Sequence, residues 1–245
     1  MKMADRHDAK YSYEEFLEII RTLRGENGCP WDKVQTHESL RPCMMEEAAE
    51  LLASIRIYNQ TGNSENMREE LGDVLLQVVM HAQIASEEGL FGMEDVVDEV
   101  SRKMVRRHPH VFGSESADTP DEVLTNWEEI KKEEKKDKEW IKSPLREIPG
   151  ELPALTRAAK VLKKIDKLYE KGSSYEQDVD ALQKAVDALR ECEPQAYSKE
   201  IERIMADALI SLSDIARICK ISQEQVLTDR IDDMIDKYDG KADKE

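Results

Sequence analysis

Two acidic stretches, each set against apolar helix, most constrain what this chain can fold into: Met45-Glu46-Glu47-Ala48-Ala49-Glu50 and Glu69-Glu70-Leu71-Gly72-Asp73. Both belong to runs of helical periodicity. Thr61-Gly62-Asn63-Ser64 between them carries turn residues, so the pair reads as a helical hairpin over about 40–60 and 65–88. At about 100° per residue, Met45, Ala48, Ala49, Leu52 and Ile55 form one apolar face of the first helix. Glu46, Glu47 and Glu50 fall on the other side. Alone, this helix reads equally as a solvated acidic face or as half of a site. The second helix is apolar almost all round, which marks burial, yet Glu70 and Asp73 interrupt it at i, i+3. Counted from the turn at about 1.5 Å per residue, Glu47 and Glu50 stand level with Glu70 and Asp73. Like charges brought this close need a cation or a proton between them. An all-oxygen set without Cys or His suits Mg²⁺ or Mn²⁺ rather than zinc.

The remaining composition narrows the class. The 245 residues fit one large or two small domains, and 36% charged with 5% aromatic residues indicates a helical, soluble protein. A net charge of −17 disfavours a nucleic-acid polymer or an anionic membrane as partner. No apolar run approaches the roughly 18 residues of a membrane span, and residues 1–8 lack the apolar core of a signal peptide. The scattered Cys29, Cys43, Cys192 and Cys219 have no CxxC spacing and read as reduced thiols of a cytoplasmic protein. There is no GxxxxGK[ST] loop and no GxGxxG.

Before the hairpin, residues 12–24 predict a helix with Ser12 as N-cap and Phe16, Ile19, Ile20 and Leu23 as its apolar stripe. Cys29-Pro30-Trp31-Asp32-Lys33 reads as a loop, and a core plug is the commoner fate of a lone Trp such as Trp31. His81 reads as a hydrogen-bonded core histidine. A helix over about 93–107 puts Val96, Val97, Val100 and Met104 on its inner face and ends in Arg102, Lys103, Arg106 and Arg107. One or two cations compensate a helix dipole; four exceed that need. His108-Pro109-His110 stops this helix as loop structure. A helix from Asp121 to about Lys136 follows, carrying Trp127 and Lys131. The charge run 131–138 reads as solvated, and Ser143-Pro144, Ile148-Pro149-Gly150 and Leu152-Pro153 punctuate a linker.

Glu47-x-x-Glu50, a 19-residue gap and Glu70-x-x-Asp73 resemble the signature of the all-α nucleoside triphosphate pyrophosphohydrolases of the MazG family. Gly28-Cys29-Pro30-Trp31-Asp32-Lys33, Arg107-His108-Pro109-His110-Val111-Phe112 and Trp127-Glu128-Glu129-Ile130-Lys131 resemble further blocks of that family. The resemblance implies that Mg²⁺ (or Mn²⁺) is held by Glu47, Glu50, Glu70 and Asp73. It implies a triphosphate met by Lys103 and Arg107, with Trp31, Lys33, Trp127 and Lys131 closing on the nucleotide. Glu46, from its proximity, is the candidate base on water beside Glu47 and Glu50. It also implies subunit pairing, as a homodimer or larger assembly. The expected reaction is hydrolysis of an NTP or dNTP to the monophosphate and pyrophosphate, as nucleotide-pool house-cleaning. Its alternatives are a catalytically silent nucleotide-binding scaffold, or a narrower dUTP, dCTP or phosphoribosyl-ATP pyrophosphatase.

The second half, with helices over about 154–171, 176–191, 197–220 and 223–238, reads as a decayed copy of the first. Met205-Ala206-Asp207-Ala208-Leu209-Ile210 aligns with residues 71–76, but Ile204 stands where Glu70 stands, and Lys184 and Asp187 where Glu47 and Glu50 stand. Asp233 and Asp236 replace Lys103 and Arg106. The expected fold is therefore all-α, two tandem MazG-like helical-bundle domains with the second degenerate: 1–140 catalytic, 141–153 linker, 154–245 degenerate.

Overall fold

The computed structural model describes residues 10–134, 143–192 and 198–242. Every regular element among them is helical, and they fall into two compact units divided after Glu134.

The first unit begins with α1 (Tyr13–Arg24), started by a capping box in which Glu15 N donates to Ser12 Oγ and Ser12 N to the Glu15 carboxylate. The segment expected as a loop contains a single-turn helix, α2 (Pro30–Lys33), because Pro30 at its first position pre-sets helical φ. A Cβ on Gly28 would sit 2.1 Å from the Leu23 carbonyl oxygen, so only glycine lets this segment fold back on α1. The long hairpin follows: α3 (Arg41–Thr61) and α4 (Glu65–Glu87), joined through Gly62 in the left-handed region at φ 74°. Then come α5 (Met93–Arg107), the short α6 (Pro109–Phe112) and α7 (Pro120–Glu133). The sequence carries that last helix to about Lys136 and the solvated run to Lys138; residues 135–142 lie outside the described residues.

Helix α4 is the hub. It packs against α3, α1 and α5, and α7 packs on α5. Ile20, Leu40, Val79, Met80 and Ile84 make the core, with Phe16, Leu17, Leu23, Cys43, Leu76 and Met93 against it. Buried Arg24 ties the 26–36 segment to the end of α4. Its Nη2 lies 2.7 Å from Glu87 Oε2, while Nη1 donates to the carbonyls of Asp32 (2.6 Å) and Gln35 (3.2 Å).

Two apolar faces differ from expectation. On α3 the covered side is Met44, Glu47, Ala48, Leu51 and Ser54, while Met45, Leu52 (69% exposed) and Ile55 face outward. Periodicity locates an apolar stripe but not the partner that covers it, and the hairpin register turns Glu47 rather than the stripe toward α4. On α5, Val97, Val100 and Met104 are also exposed, and Met93, Val96, Lys103 and Arg107 are the more covered positions. Trp31 is no core plug: it is 60% exposed on α2.

His81 is half-buried and hydrogen-bonded, as its place in an apolar helix suggests. Its Nδ1 lies 2.7 Å from His37 Nδ1, with the rings parallel to within 2°. Burial, and then the neighbouring His37, hold the His81 pKa below its ordinary 6.5. The folded state thus resists a proton that the unfolded chain takes up near 6.5, so stability rises with pH through that region and is lost below it. Thermal unfolding between pH 5.5 and 7.5 is expected to show this slope in the wild type and a flatter one in His81→Gln, which keeps a hydrogen bond but cannot titrate. Equal slopes would assign the effect elsewhere.

The second unit holds a 3-10 turn (Leu145–Glu147) and α8 (Ala154–Tyr169), α9 (Tyr175–Glu191), α10 (Lys199–Ile218) and α11 (Gln223–Ala242). Helix α10 packs against α9 and α8, and α11 against α8. Residue 197, where the sequence starts α10, lies outside the described residues. Ile204 is buried here, and Asp207, Lys184 and Asp187 are exposed. The buried polar cluster of this unit is a different one, Asp178 and Asp214 with Arg217 gripping Asp214 and Asp166.

Candidate active site

The α3–α4 hairpin brings three of the four paired acids together. Glu47, Glu70 and Asp73 present carboxylate oxygens that all lie within 4.8 Å of one another, and no other such group of three occurs among the described residues. Glu70 is only 8% exposed; its Oε1 accepts from Asn66 Nδ2 at 2.7 Å, and its Oε2 is buried without a partner. Burial, and then the charges of Asp73, Glu50 and Glu70, push the Glu47 pKa up, against a hydrogen bond from Gln77. Gln77 is itself buried, with its Oε1 unpartnered. A buried, unneutralised carboxylate oxygen beside two further carboxylates is costly, and a hard divalent cation removes that cost. The residues fit such an ion. Glu50 is exposed, close enough to repel Glu47 but outside the three-acid group; Glu46 is also exposed.

A second cluster forms where α7 meets the end of α5. The Arg107 guanidinium carbon lies 5.0 Å from the Trp127 ring centre and Lys131 Nζ 4.8 Å from it. Glu134 joins both arginines of the helix end. Its Oε2 accepts from Arg107 Nη2 at 2.5 Å, and its Oε1 from Arg106 Nε at 2.7 Å. These two guanidinium groups hold the Glu134 pKa down at about 2. Lys103, one turn before Arg107, is half-buried in a groove with Phe91, Asp95, Val96, Glu99 and Val100. Trp31 and Lys33 sit together on α2, where Lys33 Nζ donates to the Glu26 carbonyl at 2.5 Å.

Sequence reasoning passed over Asn66, Gln77 and Glu134. Asn66 and Gln77 had one usable signal: they stand four residues before Glu70 and four after Asp73, on the acids' own helix face. Glu134 had none, because it sits in a charged run and meets the arginines only through α5–α7 packing.

Comparison with known proteins places the chain. Residues 35–112 match the MazG nucleotide pyrophosphohydrolase domain, a segment that holds Glu47, Glu50, Glu70, Asp73, Lys103 and Arg107 but not Trp31, Lys33, Trp127 or Lys131. The chain is 38% identical over 220 residues to the nucleoside triphosphate pyrophosphohydrolase/pyrophosphatase MazG of Thermotoga maritima, covering 90% of this chain and 81% of that protein. It is 39% identical over 207 residues to the nucleoside triphosphate pyrophosphohydrolase of Escherichia coli K12, covering 83% and 77%. An uncharacterized Bacillus subtilis protein, YabN, is 52% identical over 153 residues, which is 62% of this chain but 30% of that longer protein. With both long alignments running through the acid hairpin and well beyond it, the chain belongs to the MazG nucleotide pyrophosphohydrolase family.

Proposed function

We propose that this chain hydrolyses nucleoside triphosphates, NTP or dNTP, to the monophosphate and pyrophosphate, in a nucleotide-pool house-cleaning role. The observation that carries this reading is the trio Glu47, Glu70 and Asp73 with the orphaned oxygen of Glu70. These residues, with Glu50 beside them, would hold Mg²⁺, Mn²⁺ being the alternative. Once bound, the cation neutralises phosphate charge and makes water a better nucleophile. The chain's own groups do the rest. Glu46, exposed and outside the metal set, is the carboxylate left to take the proton of the attacking water. Water adds at the α-phosphorus, the bond to the bridging oxygen breaks, and pyrophosphate leaves. Lys103, Arg107 and Lys131 supply positive charge for it. Trp31, exposed, and Lys33 on the same short helix α2 are the further residues that would close on the nucleotide.

The first unit carries this activity in the proposal. The second unit serves folding and assembly, since the positions matching the acids hold Ile204, Lys184 and Asp187. The bare stripes on α3 and α5 support a homodimer or larger assembly, because apolar faces of this kind mark association surfaces. The four cysteines are unpaired, which supports a reducing, cytoplasmic setting, and no described helix is long and apolar enough to cross a membrane. The net charge of −17 argues against a polynucleotide partner.

The test is incubation of the purified chain with each NTP and dNTP plus Mg²⁺, with product identification. Monophosphate and pyrophosphate, abolished by chelator, are expected. Diphosphate with free phosphate would place the cleavage at the wrong bond, and binding without turnover would make the chain a silent nucleotide binder.

A further inference from the structure

The Arg107–Glu134 contact bears on how the proposed site is assembled, and its role there rests on the reading of Arg107 as a phosphate ligand. Arg107 and Glu134 are each 13% exposed, so this ion pair is shielded, whereas Arg106 is largely in solvent. The carboxylate approaches Arg107 along one edge only: Nη2 at 2.5 Å and Nε at 3.1 Å. A guanidinium has five N–H donors in a fixed plane. A ligand on the Nε–Nη2 edge directs the Nη1 edge away from itself, toward another acceptor. Trp127 covers the guanidinium at 5.0 Å and restricts tilting of that plane. Two arginines against one carboxylate leave the group with a net charge of +1, so it still attracts an anion. Glu134 remains ionised through the whole range in which a triphosphate is fully charged, its pKa lying near 2.

We infer that Glu134 is a positioning residue: by gripping the Nε–Nη2 edge of Arg107 against Trp127, it fixes the Nη1 edge for the phosphates of the substrate and for pyrophosphate. The opposite role, a carboxylate occupying the phosphate seat until substrate displaces it, predicts the reverse sign on removal. The two are therefore separable by one measurement.

The measurement is the Kd of inorganic pyrophosphate with Mg²⁺, by calorimetry on the full chain. It compares the wild type with Glu134→Gln, Glu134→Asp, Arg107→Ala and the double variant Arg107→Ala/Glu134→Gln. Thermal unfolding of each checks the fold. Gln is isosteric and keeps one acceptor but loses the charge-assisted grip, so its Kd is expected to rise roughly tenfold, and Asp is expected to recover most of that loss. Because Glu134 acts through Arg107, the double variant is expected to bind as weakly as Arg107→Ala and no more weakly, within about twofold. A general structural role would instead weaken the double variant multiplicatively and lower the melting temperature. Tighter binding in Glu134→Gln, unchanged binding, or multiplicative loss in the double variant each overturns the positioning role. Should Arg107→Ala bind pyrophosphate as the wild type does, the reading of Arg107 as a phosphate ligand falls too, and turnover of nucleotides by the wild type would still stand or fall by its own products.

Discussion

Glu70→Gln is expected to lower kcat/KM by about a thousandfold or more, some 4 kcal/mol of transition-state stabilisation, without unfolding the protein. The substitution keeps the shape of a side chain that is 8% exposed, and the new amide oxygen can still accept from Asn66. What changes is the buried Oε2 position, where a donor N–H₂ replaces an unpartnered anionic oxygen of the carboxylate that meets Glu47 and Asp73. A cation meets repulsion there instead of a ligand. Like-charge repulsion within the trio is relieved as well, so the metal-free variant is expected to melt no lower than the metal-free wild type. Added Mg²⁺ or Mn²⁺ should raise the melting temperature of the wild type and leave the variant unmoved. Thermal shift with and without metal, beside turnover, separates the two effects. A variant retaining a tenth of wild-type turnover, or still stabilised by metal, would remove Glu70 from the cation site.

The acid trio was legible because its geometry is nearly all local. Spacing of i, i+3 sets which carboxylates share a helix face, and the rise per residue on either side of Gly62 sets their height. The rotation of α3 about its own axis is not local. It turns Glu47 toward α4 and leaves Glu50, 60° round the helix, in solvent, so four acids in a spacing pattern become three in space. Gln77 and Asn66 complete the surroundings of that trio, yet a polar residue on a helix says nothing until the facing helix is known. The contact of Arg107 with Trp127 and Glu134 spans residues twenty or more apart, and only the packing of α7 on α5 creates it.

The positions of the long helices were legible for a related reason, whereas the one-turn α2 and α6 stand where the sequence, at 29–33 and 108–110, read loop. Local capping chemistry ends helices, and Ser12 with Glu15 and the turn at Gly62 act within four residues. The faces were less so. Met45, Leu52 and Ile55 read as a core stripe because apolar periodicity is the same whether the neighbour is another helix of the chain or another molecule. Trp31 likewise read as a loop residue with a core plug as its commoner fate, and its exposure on α2 follows only once Arg24 pins the 26–36 segment to the end of α4.

Ile20→Ala is expected to destabilise the first unit by about 4 kcal/mol, within the 2–5 kcal/mol usual for such a truncation in a core that cannot collapse. Ile20 is 2% exposed and sits among Leu40, Val79, Met80 and Ile84, where α1 and the start of α3 meet the hub helix. Three of its neighbours, Val79, Met80 and Ile84, lie on the helix that carries Glu70 and Asp73, six and more residues along. At roughly 3–4 °C per kcal/mol for a unit of this size, the melting transition of the first unit should fall by about 12–16 °C while that of the second stays in place. Calorimetry reads both transitions in one scan, and a single transition moving as a whole would mean the two units unfold as one. Leu52→Ala is the informative companion. In a lone chain its 69% exposure makes the substitution nearly neutral. If its cost approaches that of Ile20→Ala and grows as the protein is concentrated, the bare face of α3 is covered in solution by a second copy, because only association makes the stability of a surface residue depend on concentration.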